Sequence, residues 1–139
     1  MKIIEDCWDD IDTFNCQYGA HIFDGVTAKI YVNHWLATSS KIRGDFCRIN
    51  DEGFVGHCIL VFDGVKTFDF SILQWFEKNG EVAWRDPVVF HYDAEVEGEI
   101  RRYEFEGSLQ GFPSSVSVCV EAKRFSLHIL GGDEPARES

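Results

Sequence analysis

His91-Tyr-Asp93 sets two metal-capable side chains two positions apart. In an extended strand that spacing puts both on one face, where a third ligand from a neighbouring strand would complete a site. A metal-assisted enzyme built on His91, Asp93 and one further His is therefore one reading of the chain. The same pair also suits a plain sheet-surface histidine beside a carboxylate. None of His21, His34, His57, His91 and His128 makes an HxH, HxxxH or HExxH spacing. Asp93, Glu95, Glu97 and Glu99 alternate, so the first three would line one strand face. Neighbouring carboxylates raise one another's pKa, which is one route to a general acid of the glycosidase kind. With Arg101 and Arg102 across the expected turn, the simpler reading is a solvated face with cross-strand ion pairs.

Nucleophile and phosphate chemistry have little support. Ser114-Ser115 lies in a proline loop without a nearby His, and no GxSxG, P-loop or GxGxxG motif occurs. The five cysteines, Cys7, Cys16, Cys47, Cys58 and Cys119, are scattered and form no CxxC. They read as free thiols in a reducing cytoplasm, with Cys58 and Cys119 as small buried hydrophobes. No catalytic set, metal centre or cofactor is assigned.

Charge and aromatic residues point to a surface role. The net charge is −11, which removes the electrostatic basis for binding nucleic acid or an anionic membrane; it serves plain solubility first and would also attract a basic protein partner. Trp8, Trp35, Trp75 and Trp84 fall at expected strand ends or in loops, where they either anchor a partner or plug the ends of a β-domain. The candidate partner-binding residues are Asp93, Glu95, Glu97, Trp35, Trp75 and Trp84, with an acidic arm over residues 5–12 as a second steering element.

The elements that must position these groups are strands. Apolar residues alternate at Val26, Ala28, Ile30 and Val32, again over Val116–Val120, and again over Phe125–Ile129. Asp24-Gly25 predicts a tight hairpin, Asp63-Gly64 a second, and Glu97-Gly98-Glu99 a third between strands 88–96 and 100–109. A strand is expected over 42–49, a turn over 50–53 and a strand over 54–62. A final strand pair is expected to turn at Lys123-Arg124. Residues 71–79 predict a short helix capped by Ser71 and ended by Gly80, with strand and loop as the alternative. The repeated Phe-Asp-Gly-Val at 23–26 and 62–65 raises the question of duplicated hairpins. Together these give an all-β chain, or a β-rich one with one short helix. The architecture expected is a single-domain antiparallel sandwich or barrel of eight or nine strands over residues 1–130, with a loose tail over 131–139.

Tyr18-Gly-Ala-His21 followed by the Asp24-Gly25 hairpin, Ile59-Leu-Val-Phe-Asp-Gly-Val65, and Phe105-Glu-Gly-Ser-Leu109 before two last strands resemble small acidic all-β immunity proteins encoded beside bacterial secreted toxins. Where several such families carry an acidic dyad, this chain has His21-Ile22. The resemblance implies inhibition of a toxin domain by binding. The readings carried forward are a cytoplasmic, non-enzymatic binding protein acting on a basic partner, a small-ligand or carbohydrate-binding barrel, and the metal-assisted enzyme. An unpaired edge strand also leaves a homodimer open.

Overall fold

A computed structural model describes residues 1–134. The elements in chain order are β1 (Lys2–Glu5), a 3-10 turn (Trp8–Asp10), β2 (Ile11–Asp12), β3 (Gln17–Phe23), β4 (Thr27–His34), β5 (Ala37–Thr38), α1 (Ser40–Arg43), β6 (Arg48–Ile49), β7 (Val55–Gly56), β8 (Cys58–Lys78), β9 (Glu81–Trp84), β10 (Val88–Asp93), β11 (Arg101–Leu109) and β12 (Ser114–Ile129). The fold is the expected all-β single domain with one short helix.

Five strands close a ring. β3 pairs with β4, β4 with β8, β8 with β12, β12 with β11, and β11 returns to β3. Every pairing is antiparallel except β11–β3, which is parallel over Ser108↔Gln17 and Leu109↔Tyr18. Closure there depends on Gly107, because a Cβ at that position would lie 2.3 Å from the Cys16 carbonyl oxygen and 2.5 Å from the Tyr18 ring. The Tyr18 hydroxyl, fully buried, donates to the Glu106 carbonyl at 2.8 Å and so ties β3 to β11 from inside.

β8 and β12 are long strands that serve both halves of the barrel. The first half of β8 lies between β4 and β12, and its second half lies between β12 and β10. The two expected hairpins in this region do not form. At Asp63-Gly64 the chain bends without reversing: Gly64 takes φ +66°, and the β8–β12 register shifts between Glu121 and Ala122 on the facing strand. Lys123-Arg124 likewise sits inside unbroken β12, with Arg124 opposite Asp63. Pairing on both sides of the bend makes reversal unnecessary. The two Phe-Asp-Gly-Val copies therefore differ. The first is the β3–β4 turn, and the second is mid-strand.

Three further expectations are corrected. Residues 71–79 take the strand-and-loop alternative in place of the helix, because β8 runs on through Trp75 to Lys78 and turns at Asn79-Gly80, with φ +54° and +80°, into β9. Two consecutive left-handed residues make the hairpin turn that matches strand twist. Residues 42–49 hold the end of α1 and only the short β6. β10 and β11 are not a hairpin: β10 pairs with β8 and β11 with β12. The segment 94–100 crosses the ends of the two strands between them. That is three strand spacings, about 14 Å, within reach of the connection.

The core is aromatic. Phe62, Tyr103, Phe105 and Phe125 fill the barrel, and Trp8 closes one end with its ring 5.0 Å from both Tyr103 and Phe125. The expected acidic arm is thus anchored: β1 pairs with β12, Trp8 is packed, and β2 pairs with β5. A second cluster lies between β3 and the β8–β10 pair, where His21 stacks on Phe70 at 4.3 Å, edge-on to Phe68 and Phe90. Beside residues 131–134, His57, buried at φ +60°, receives the Tyr31 hydroxyl on Nδ1 at 2.9 Å. Its Nε2 lies 3.1 Å from the Gly131 carbonyl and 3.0 Å from that of Glu134. Two acceptors at Nε2 place the ring proton there. The Glu134 carboxylate also meets the Met1 ammonium. The expected loose tail is therefore held at residues 131–134, and its remainder, 135–139, lies outside the described residues.

Candidate functional site

The outer face of the four strands β10–β8–β12–β11 carries three cross-strand rows. Asp93, Thr67, Glu121 and Arg102 make the first, and His91, Asp69, Cys119 and Glu104 the second. Val89, Ser71, Ser117 and Glu106 make the third. The alternate residues of the same strands, Phe68, Phe70, Val118, Val120, Tyr103 and Phe105, are the core. Period-2 alternation thus sorts one polar face from one apolar face on each strand. Between the rows lies a groove of about 480 Å³ lined by Asp69, Ser71, Glu104, Glu106, Ser117 and Cys119.

Hydrogen bonds on this face hold Asp69, Asp93, Glu104 and Glu121. His91 Nδ1 bonds Asp69 Oδ1, and its Nε2 lies 3.3 Å from Asp93 Oδ2. The Thr67 hydroxyl donates to Glu121 at 2.8 Å, and Arg102 Nε donates to Glu104 at 2.7 Å. The hydrogen bond to Asp69, with the charge of that carboxylate behind it, raises the His91 pKa above the usual imidazole value. Five carboxylates (Asp69, Asp93, Glu104, Glu106 and Glu121) face one arginine and one histidine, so the face is net negative at every pH where its acids are ionised.

This arrangement is poor for catalysis. Asp69 stands between His91 and Cys119 in the row, so the imidazole has no direct path to the thiol. Burial raises the Cys119 thiol pKa, which opposes formation of a thiolate. The buried thiols are raised further by burial, Cys7 to about 11 and Cys16 to about 12, with Cys58 well above its ordinary value. Both His91 nitrogens face carboxylates on its own face. Among the described residues no group of three or more His, Cys, Asp or Glu is arranged to hold a metal ion. The further histidine that the metal reading needs is not brought to His91 and Asp93.

Of the candidate partner-binding residues, Asp93 belongs to the face. Glu95 and Glu97 do not continue it, because β10 ends at Asp93 and both lie exposed in the crossing segment 94–100. Trp75 and Trp84 meet edge to face at 5.3 Å across the β8–β9 pair, where Trp84 is 54 % exposed. Trp75 continues the odd-numbered set of β8 that carries Thr67, Asp69 and Ser71, so the aromatic pair extends the acidic face at one end. Beside it, Arg85 lies over the Phe76 ring at 4.9 Å, next to exposed Phe112. Trp35 is elsewhere. At φ +69° it packs on His34 and Phe54, behind the end of β4.

Asp69, Glu104, Glu106 and Glu121 were not among the candidates. Their signal is each strand's alternation, which marks them as outward-facing. Only the register brings them together.

No family model, curated protein or solved structure matches the chain. Among the described residues no helix is long and apolar enough to cross a membrane.

Proposed function

We propose that this protein is a non-enzymatic, cytoplasmic binding protein whose outer face on β10, β8, β12 and β11 engages a basic protein, in the manner of an immunity-type inhibitor of a basic toxin domain. The observation that carries the reading is the three-row face, with five carboxylates across it and the Trp75–Trp84 pair at its end. Acids of one sign speed encounter with a basic partner, and exposed aromatic rings supply the apolar anchors that hold it. The filled interior favours a surface over an internal carbohydrate pocket, since Phe62, Phe105 and Phe125 occupy the space a ligand needs. Affinity capture from native lysate at low and high salt tests the reading. One stoichiometric basic protein, released by salt, supports it. No protein partner at either salt opposes it.

A further inference from the structure

We propose that the free edge of β10 takes an extended Lys/Arg-bearing segment of the partner as an added strand; this rests on the function proposed above.

Among the described residues β10 has a neighbour on one side only. It pairs with β8 in constant register from Val88↔Ile72 to Asp93↔Thr67, and the Ala94 N–H bonds the Lys66 carbonyl at 2.9 Å in the same register. In an antiparallel ladder the bonded pairs alternate. Val88, Phe90, Tyr92 and Ala94 therefore bond β8, and the main-chain N–H and C=O groups of Val89, His91 and Asp93 point away from it. Among the described residues these groups bond no other backbone. Over 88–93 the strand has no proline, no lysine and no bulge, and Asp93 is its one acidic side chain. Val89 is 60 % exposed and Val88 46 %.

The side chains beside the edge choose the occupant. On the outer face an added strand would set every second residue next to Val89, His91 and Asp93, one strand from Asp69. Its other residues would meet Val88 and Phe90. The matching segment alternates basic and apolar residues. A second copy fits worse: self-pairing of β10 would bring two chains of charge −11 together with their acidic faces side by side.

The test uses an acetylated, amidated octapeptide of alternating Lys and Val as probe. Its companion is the same peptide N-methylated at alternate residues, which keeps the charges but loses the edge donors. Binding is read with the whole protein by titration, and by amide exchange of Val89, His91 and Asp93. The account expects salt-sensitive binding of the first peptide and slowed exchange at those three amides. It also expects affinity to fall about tenfold or more for the methylated peptide and for Val89→Pro, as loss of backbone bonding implies. That variant spares the β8 ladder, whose bonds use Val88, Phe90 and Tyr92. Equal binding of both peptides, with Glu104→Lys/Glu106→Lys still abolishing it, would overturn the edge and leave the acidic face standing. Binding indifferent to salt and to that double reversal would remove the function proposed above. No binding of the first peptide, or a concentration-dependent dimer abolished by Val89→Pro, would overturn the proposed occupant.

Discussion

His91 on β10 is held between two carboxylates, Asp69 on the adjacent strand and Asp93 two residues along its own. The ring is a strut within an acidic surface, and the hydrogen bond and charge of Asp69 raise its pKa above the ordinary imidazole value.

Its raised pKa sets a sign for pH dependence. Protonated His91 favours the folded state through Asp69 first, then Asp93. That contribution is complete below the unfolded value of about 6.5 and is lost as pH rises through the higher folded value. Loss of the proton also makes the face more negative, so a basic partner should bind more tightly as pH rises through the same window. His91→Gln should flatten both trends in denaturant titrations and binding isotherms taken across it.

His21 should behave in the opposite sense. Half-buried against Phe70, its ring is held neutral and its pKa is lowered by burial. Below about pH 6.5 the unfolded chain takes a proton that the folded chain resists, so stability falls with acid. His21→Phe should remove that part of the loss. Thermal melts of the two proteins at neutral and at mildly acidic pH make the comparison.

Barrel closure should be sensitive at Gly107. Gly107→Ala places a methyl against the Cys16 carbonyl and the Tyr18 ring, so the β11–β3 contact must open. Phe62→Ala removes a fully buried ring from the aromatic core and should cost about 3–5 kcal/mol. For Gly107→Ala the loss of the Tyr18–Glu106 bond should also appear as faster amide exchange along β11. Unchanged stability in either variant contradicts the packing described here.

Cys47 is exposed, whereas Cys7, Cys16 and Cys58 are buried and Cys119 is partly covered. A thiol reagent in native buffer should modify Cys47 first, with the buried thiols following only on unfolding. Peptide mapping after a short pulse reads the order.

The contrast between the two Phe-Asp-Gly-Val segments shows what the sequence made legible. At 23–26 the Asp24 carboxylate accepts the N–H groups of Val26 and Thr27 at 2.9 and 2.7 Å, so the turn is made by its own residues. At 62–65 the Asp63 carboxylate accepts the Thr27 hydroxyl of another strand, and the chain bends without reversing and continues along β12. Local composition is the same, and the deciding contact is distant. Alternation marked the faces of β4 and β12 correctly for the same reason it failed to group the site. It tells which way Glu104 and Asp69 point, while only the register places them in one row with Cys119, a partly covered thiol on the outer face and not the buried one that its apolar neighbours suggest. Asn79-Gly80 is a local hairpin signal, but Ser71 and Gly80 fit helix caps equally well, so local composition leaves helix and strand both open over 71–79.

The most direct test of the account compares wild type with Glu104→Lys/Glu106→Lys as baits in affinity capture from native lysate, read by mass spectrometry. Both positions are outward-facing, so the reversal leaves the core intact. The account predicts a basic protein held by the wild type at low salt, released at high salt and lost from the reversed face. Equal recovery of that protein on both baits would contradict the claim that this face is the binding surface.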